Sequence, residues 1–293
     1  MGRREKKEKK NQEDQMEFEE NQKSDKPKKG GIGRVISSLI LVIALAVICY
    51  SGYQLYMIFK GYHDGRSEYE KIREIATDDG DDTDDTDDAT AADESTDNAD
   101  DGFTVDFNAL KAINSDVIGW IRFAPQPETI NYPIVKGTDN SEYLHRTFSA
   151  NENTLGAIFL NYENASDFSD RNSIIYGHRM NDGSMFAHLQ DYDTKSFWEA
   201  NPYFYIYTVD GRKLTYHVVM AGEVSDESSM YQFQFPDDAA YLNFLNAAKS
   251  MAFYDTGIQL TTQQRVVTLS TCTRAGDSNR IVVMGVLEKE EKK

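Results

Sequence analysis

The pattern of apolar and polar positions changes character four times along the chain. Residues 1–34 are polar and rich in lysine, and residues 35–59, VISSLILVIALAVICYSGYQLYMIF, then run 25 positions without a charge. A helix rising about 1.5 Å per residue needs roughly that many to cross a hydrocarbon core of about 30 Å. The run therefore reads as one transmembrane helix. A secretory signal peptide would have an apolar core of only about 7–15 residues ending in a cleavage site, so an uncleaved anchor is expected. Lys26, Lys28, Lys29 and Arg34 crowd its N-terminal flank, whereas only Lys60 lies immediately beyond the other end. The positive-inside bias places the N-terminus in the cytoplasm and the C-terminal bulk outside. Tyr50, Tyr53 and Tyr56 suit the outer interface. Residues 60–76 form a juxtamembrane segment with balanced charge.

Residues 77–101, TDDGDDTDDTDDATAADESTDNADD, carry thirteen acids and no base. Such a run has too little apolar surface to offset the entropy of ordering, and it reads as a disordered, self-repelling linker whose role is spacing. It lacks the ligand spacing and terminal Glu of an EF-hand calcium loop.

From 102 to 293 the pattern is that of a folded domain. Asp106 is a plausible N-cap for a short helix over FNALKAINSD. Short β-branched and aromatic runs follow with turn residues between them: VIGWIRF, TINYPIVKG, GAIFLNY, NSIIYGH, YFYIYTV, KLTYHVVMAGEV, QRVVTLS and RIVVMGV. Their partial alternation predicts strands, and their number and spacing predict a mostly β fold, a sandwich or a closed barrel. Two helical interruptions are expected, at SMFAHLQDY and at PDDAAYLNFLNAAKSMAFYD. In the second, Tyr241, Leu242, Leu245 and Ala248 are taken as one face.

Charge changes this picture little. The formal net charge of −18 belongs mostly to the acidic run, and no basic footprint for nucleic acid is present. Cysteine changes it more. Cys49 lies in the apolar helix and Cys272 in the outer domain, so no disulfide can form within that domain. One unpaired thiol outside the cell is either a small buried hydrophobe or a reactive group. Cys272 ends the strand RVVTLSTC among polar neighbours, and Arg280 begins the next strand. If the two strands pair, thiol and guanidinium meet at one end of a sheet.

A cysteine nucleophile needs a proton-handling partner, and imidazole is the usual one. His63 lies near the membrane, His145 and His188 sit in loop or helical segments, and His217 falls inside a strand where cross-strand packing is expected. His178 instead leaves the strand SIIYGH at its end, where catalytic groups belong. No Cys/His or His/His pair has metal-ligand spacing, and no cofactor is expected. Arg280 is permanently charged and presents five donors, so it can hold an oxyanion and favour a thiolate. Its alternative is a surface ion pair.

TLSTC with Arg280 eight residues on and IIYGH upstream, together with INSDVIGWI, INYPIVKGTDNSEYL, GAIFLNYEN and YGHRMNDGSMFAHLQDYDTKSFW in the family's order, resemble the sortases, membrane-anchored cysteine transpeptidases. The insert PDDAAYLNFLNAAKS ahead of the cysteine strand, with the helical segment before the first strand, is most similar to class B. The resemblance implies an eight-stranded β-barrel with an N-terminal helix and a helical insert. It also implies Cys272 as nucleophile, His178 as general acid/base and Arg280 as oxyanion or substrate clamp, with Ser270, Thr271 and Asn140 as substrate-binding positions beside them. Arg179 departs from the Asn often found there in the class. The implied activity cleaves a C-terminal sorting motif of secreted surface proteins through a thioester and transfers them to an amine of a cell-wall precursor. Pilin polymerisation and a catalytically silent wall-binding module are the alternatives.

Overall fold

The computed structural model describes residues 31–78, 102–272 and 278–292. The chain divides into two units, residues 1–58 and 59–293. In the first, the described residues are the start of a helix, α1 (Gly31–Ala76), whose apolar stretch is long enough to cross a membrane and is exposed along its length. The remainder of α1, from Phe59 to Ala76, belongs to the second unit. There Tyr69, Ile72 and Ala76 are buried in the same cluster as the barrel core. The segment expected only to lie beside a membrane is thus built into the folded unit.

Most of the acidic run, residues 79–101, lies outside the described residues. Its flanks do not: β1 (Thr77–Asp78) pairs antiparallel with β2 (Thr104–Val105), and Asp106 donates its backbone N–H to Ala76 O at 2.7 Å. The residues on either side of that run are therefore held next to each other. Asp106 then caps the helix α2 (Phe107–Ile113), accepting from the N–H groups of Asn108 and Ala109, as Asp does at an N-cap.

Eight strands follow: β3 (Val117–Phe123), β4 (Asn131–Val135), β5 (Ile158–Leu160), β6 (Asn172–Tyr176), β7 (Tyr203–Thr208), β8 (Arg212–Ser225), β9 (Val266–Cys272) and β10 (Asn279–Lys292). They close into a barrel in the order β10-β8-β7-β3-β4-β5-β6-β9. The β4–β5 and β6–β9 pairs are parallel and the others antiparallel. Between β6 and β7 lie a 3-10 helix (Ala187–Asp193) and α3 (Lys195–Ala200). The insert α4 (Asp238–Ser250) precedes β9.

Strand β10 shows why IVVMGV is apolar without alternation. Ile281 and Val283 point into the barrel cluster, while Val282, Met284 and Val286 point outward into a second cluster built by α4. With both faces covered, the period of two between inside and outside leaves no polar position. The face of α4 differs from the sequence expectation. Tyr241, Phe244, Leu245 and Ala248 are buried, whereas Leu242 is 41% exposed. Spacings of three, four and seven put the first four in one stripe. Leu242 sits about 100° round the helix from Tyr241 and leaves it.

Candidate active site

The register of β9 and β10 sets the site. Arg280 is the Cα partner of Cys272, as Ile281 is of Thr271 and Val282 of Ser270. Strand β6 lies on the other side of β9 in parallel, with Tyr176 opposite Ser270. Beyond Tyr176, Gly177 donates its N–H to Ser270 O at 3.1 Å and the chain turns out of the barrel at His178. Cys272 is described by its backbone only, and Thr273 and Arg274 lie outside the described residues.

A cavity of about 330 Å³ opens at this rim, with His178, Arg280, Ser270, Thr271 and Asn140 all on its wall. All the candidate side chains that the structure describes are therefore brought together. Leu144, Phe159, Tyr176, Gly177, Tyr231 and Asp226 complete the wall.

His178 is half-buried, and its Nε2 lies 2.7 Å from the carbonyl oxygen of Leu144. A carbonyl only accepts, so Nε2 carries the hydrogen and Nδ1 is left to gain and lose a proton. Burial holds the imidazole below its ordinary value. The bond to Leu144 pulls the other way, and the parallel ring of His145, with centroids 6.1 Å apart, adds a smaller lowering. The backbone of His178 is fixed as well, since Phe186 donates its N–H to His178 O at 2.9 Å.

Arg280 sends Nη1 to Asn279 O at 3.1 Å, and its Nη2 lies 3.7 Å from Asp226 Oδ2. The ion pair expected as the alternative role of Arg280 thus exists, but it is long and partly exposed, and such a pair is worth about 0–1 kcal/mol. The guanidinium remains on the cavity wall.

Ser270 Oγ bonds the Tyr231 hydroxyl at 2.9 Å. Thr271 Oγ1 is buried and has no hydrogen-bond partner among the described residues. Asn140 is held on both ends of its amide, donating to Asn161 Oδ1 at 2.8 Å and accepting from Tyr162 N–H at 3.0 Å. Arg179 Nε is buried with no partner among the described residues. Among the described residues, no group of three or more His, Cys, Asp or Glu is placed to hold a metal ion.

His145 lies against His178, whereas His188 and His217 lie elsewhere. His188 bonds Asp191 at 2.8 Å, and His217 stacks between Tyr203 and Trp198, the cross-strand packing its position implied. Sequence reasoning missed Asp226, Tyr231 and the carbonyl of Leu144. Asp226 faces Arg280 only once β8 and β10 are in register, and a backbone acceptor leaves no trace in composition.

An eight-stranded closed barrel, with cysteine and arginine paired on adjoining strands and a histidine at the exit of a third, defines the class of protein. Residues 125–288 match the Sortase domain family model, and the chain belongs to the sortase family. It is a cysteine transpeptidase, most like class B.

The chain is 32% identical over 199 residues to Sortase B of Listeria monocytogenes, covering 67% of this chain and 79% of that protein. It is 31% identical over 187 residues to Sortase B of Staphylococcus aureus, covering 62% and 75%. Among solved structures, the Staphylococcus aureus sortase B–substrate complex superposes with a TM-score of 0.58 at 31% identity, covering 62% of this chain and 84% of that one. Sortase B of Clostridium perfringens superposes with a TM-score of 0.58 at 31% identity, covering 62% and 99%.

Proposed function

We propose that this transpeptidase works through a thioester on Cys272, with His178 as acid and base and Arg280 as the oxyanion clamp. The Cys272 thiolate adds to the carbonyl carbon of a scissile peptide bond in a C-terminal sorting motif. The oxyanion that forms meets the guanidinium of Arg280, whose charge and paired N–H donors suit it. As the C–N bond breaks, protonated His178 delivers its proton from Nδ1 to the departing amine, leaving an acyl-cysteine. An incoming amine then gives a proton to neutral His178 and attacks the thioester. The C–S bond breaks, the new amide leaves, and the thiolate is restored.

One observation carries this reading: Cys272 and Arg280 are Cα partners, and His178 and Arg280 share a cavity wall beside them. Leu144 supports it by fixing the hydrogen of the ring on Nε2. Ser270, Thr271 and Asn140 line the same cavity and are proposed to contact the peptide. Tyr231 holds the Ser270 hydroxyl, while the Thr271 hydroxyl, which has no partner among the described residues, is left to meet substrate.

The donors are secreted proteins with a sorting signal, and the acceptor is an amine of a cell-wall precursor. One solved sortase B is complexed with triglycine, a ligand with a free amine. Residues 35–59 anchor the enzyme, with residues 1–34 in the cytoplasm and the barrel outside. Pilin polymerisation would use the same three side chains with a lysine of another subunit as acceptor.

The test is hydrolysis and transpeptidation of quenched peptides bearing class B-like sorting motifs, with wild type, Cys272→Ala and His178→Ala compared. Cleavage should vanish in the first variant and nearly vanish in the second. Mass analysis of products formed with triglycine or with a lysine-bearing peptide identifies the acceptor class. Cleavage surviving Cys272→Ala would remove the thiol mechanism.

A further inference from the structure

The loop joining β4 to β5 has His178 on one side and the last turns of α1 on the other. On the His178 side, the Leu144 carbonyl takes the ring N–H, and Gly156 sits so close that an added Cβ would stand 2.6 Å from Leu144 O and 3.0 Å from His178 Cδ2. Gly156 has φ +61°, the left-handed region that glycine enters at no steric cost. On the α1 side, the Tyr69 hydroxyl is fully buried. It donates to Gly156 O at 2.7 Å and accepts from Phe148 N–H at 3.2 Å.

Further bonds run beside it. Glu68 accepts from Ser149 N–H at 3.0 Å and from the Asn151 side chain at 3.2 Å, and Asn153 donates to Gly61 O at 2.9 Å. Gly65 allows the approach, since a Cβ there would stand 2.9 Å from Leu155 Cδ2. The loop is thus stapled to the helix by five hydrogen bonds at both its middle and its end. A buried hydroxyl making two bonds to backbone is costly to remove.

We propose that Tyr69, on the helix that leads out of the apolar segment, is a positioning residue for His178: through Gly156 and Phe148 it fixes the loop whose Leu144 carbonyl sets the orientation and tautomer of the imidazole. The proposal rests on His178 being the acid and base of the reaction above. It makes the part of α1 from Gly61 to Ala76 a component of the catalytic apparatus. The charged and titratable groups facing His178 are His145 on the loop itself and, across the cavity, Tyr176, Tyr231, Asp226 and Arg280. Tyr69 reaches it only through the backbone.

The test uses the full-length chain in detergent micelles with isotope-labelled histidine. Tyr69→Phe keeps the ring edge-on against Tyr132, at 5.2 Å and 89°, and deletes both hydrogen bonds. The expected result is a kcat lower by about tenfold with the peptide KM little changed, the scale a small misplacement of a catalytic group produces. The nuclear magnetic resonance signals of His178 should show a smaller fraction of the Nε2–H tautomer and titration at lower pH, since the bond to Leu144 is what opposes burial. A lower melting temperature with unchanged kcat, tautomer and titration of His178 would overturn the proposal and leave Tyr69 a stabilising residue only.

Should Tyr69→Phe not fold, Tyr69→His decides. It keeps a ring but displaces the hydroxyl that bonds Gly156 O and Phe148 N–H, and an unaltered His178 titration there would equally overturn the proposal. His178→Ala separates the two readings. If it still cleaves peptide, the acid/base role falls, while the titration comparison continues to decide what Tyr69 does.

Discussion

Cys272 and Arg280 are direct partners across the β9–β10 ladder, although seven residues lie between them in the chain. In an antiparallel pair such Cα atoms sit about 4.5–5.5 Å apart, so strand register alone sets Arg280 beside Cys272. Because the clamp proposed for Arg280 depends on a planar fork of donors and on permanent charge, Arg280→Lys should keep the charge and lose the fork. The expected loss in kcat/KM is about 10²-fold, and Arg280→Ala should lose more, with melting temperatures near wild type. Steady-state peptide cleavage checks it, and full activity in Arg280→Lys would reduce the clamp to a charge effect.

The half-buried imidazole of His178 gives stability a pH dependence of defined sign. Its folded value lies below the ordinary 6.5, mainly through burial, so the unfolded chain binds a proton that the fold resists. This contribution is fully present above pH 6.5. It is lost as pH falls from there through the folded value. His217 is lowered by burial too, with Glu288 opposing. Between pH 7.5 and 5 the melting temperature should fall less steeply in His178→Gln than in wild type, and the remaining slope should belong partly to His217. Parallel curves would contradict the assignment.

The eight strands were legible because each is a short β-branched or aromatic run set off by turn residues, and the helix cap at Asp106 announced α2. The meeting of Cys272 with Arg280 was legible because both flank one loop. What lay beyond sequence reading were contacts made across long separations. Tyr69 meets Gly156, Leu144 meets His178 and Asp226 meets Arg280 only once the barrel has closed. The misassigned face of α4 has a simpler cause. Leu242 is apolar but out of phase, and Phe244 was passed over.

The structure makes those two residues a direct comparison. Phe244→Ala should cost about 3–5 kcal/mol because it empties a site packed by Phe235, Tyr241 and the outer face of the barrel. Leu242→Ala should stay within about 0.5 kcal/mol, as exposed substitutions do. Chemical denaturation of both variants checks the ordering, and equal effects would contradict the placement of the helix.

The acidic run was expected to act as a spacer, yet its flanks Thr77–Asp78 and Thr104–Val105 are already paired. Its length therefore does not set how far the barrel stands from the end of α1. Replacing residues 80–100 with a few Gly and Ser residues should leave the melting temperature and peptide kcat/KM within about twofold of wild type, because changing the length of chain between two paired strands changes closure entropy only slowly. A chain starting at 102 should instead lose much of its stability, since it lacks the buried Tyr69, Ile72 and Ala76. Thermal melts of the two variants side by side test this.

The most direct measurement of the central claim is the intact mass of the enzyme mixed with a sorting-motif peptide in the absence of any acceptor amine and quenched in acid. A thioester on Cys272 predicts a species heavier by the acyl fragment of the peptide, localised by proteolysis to Cys272, that disappears when triglycine is added and never forms in Cys272→Ala. Peptide turnover without such an adduct, or an adduct on another residue, would contradict it.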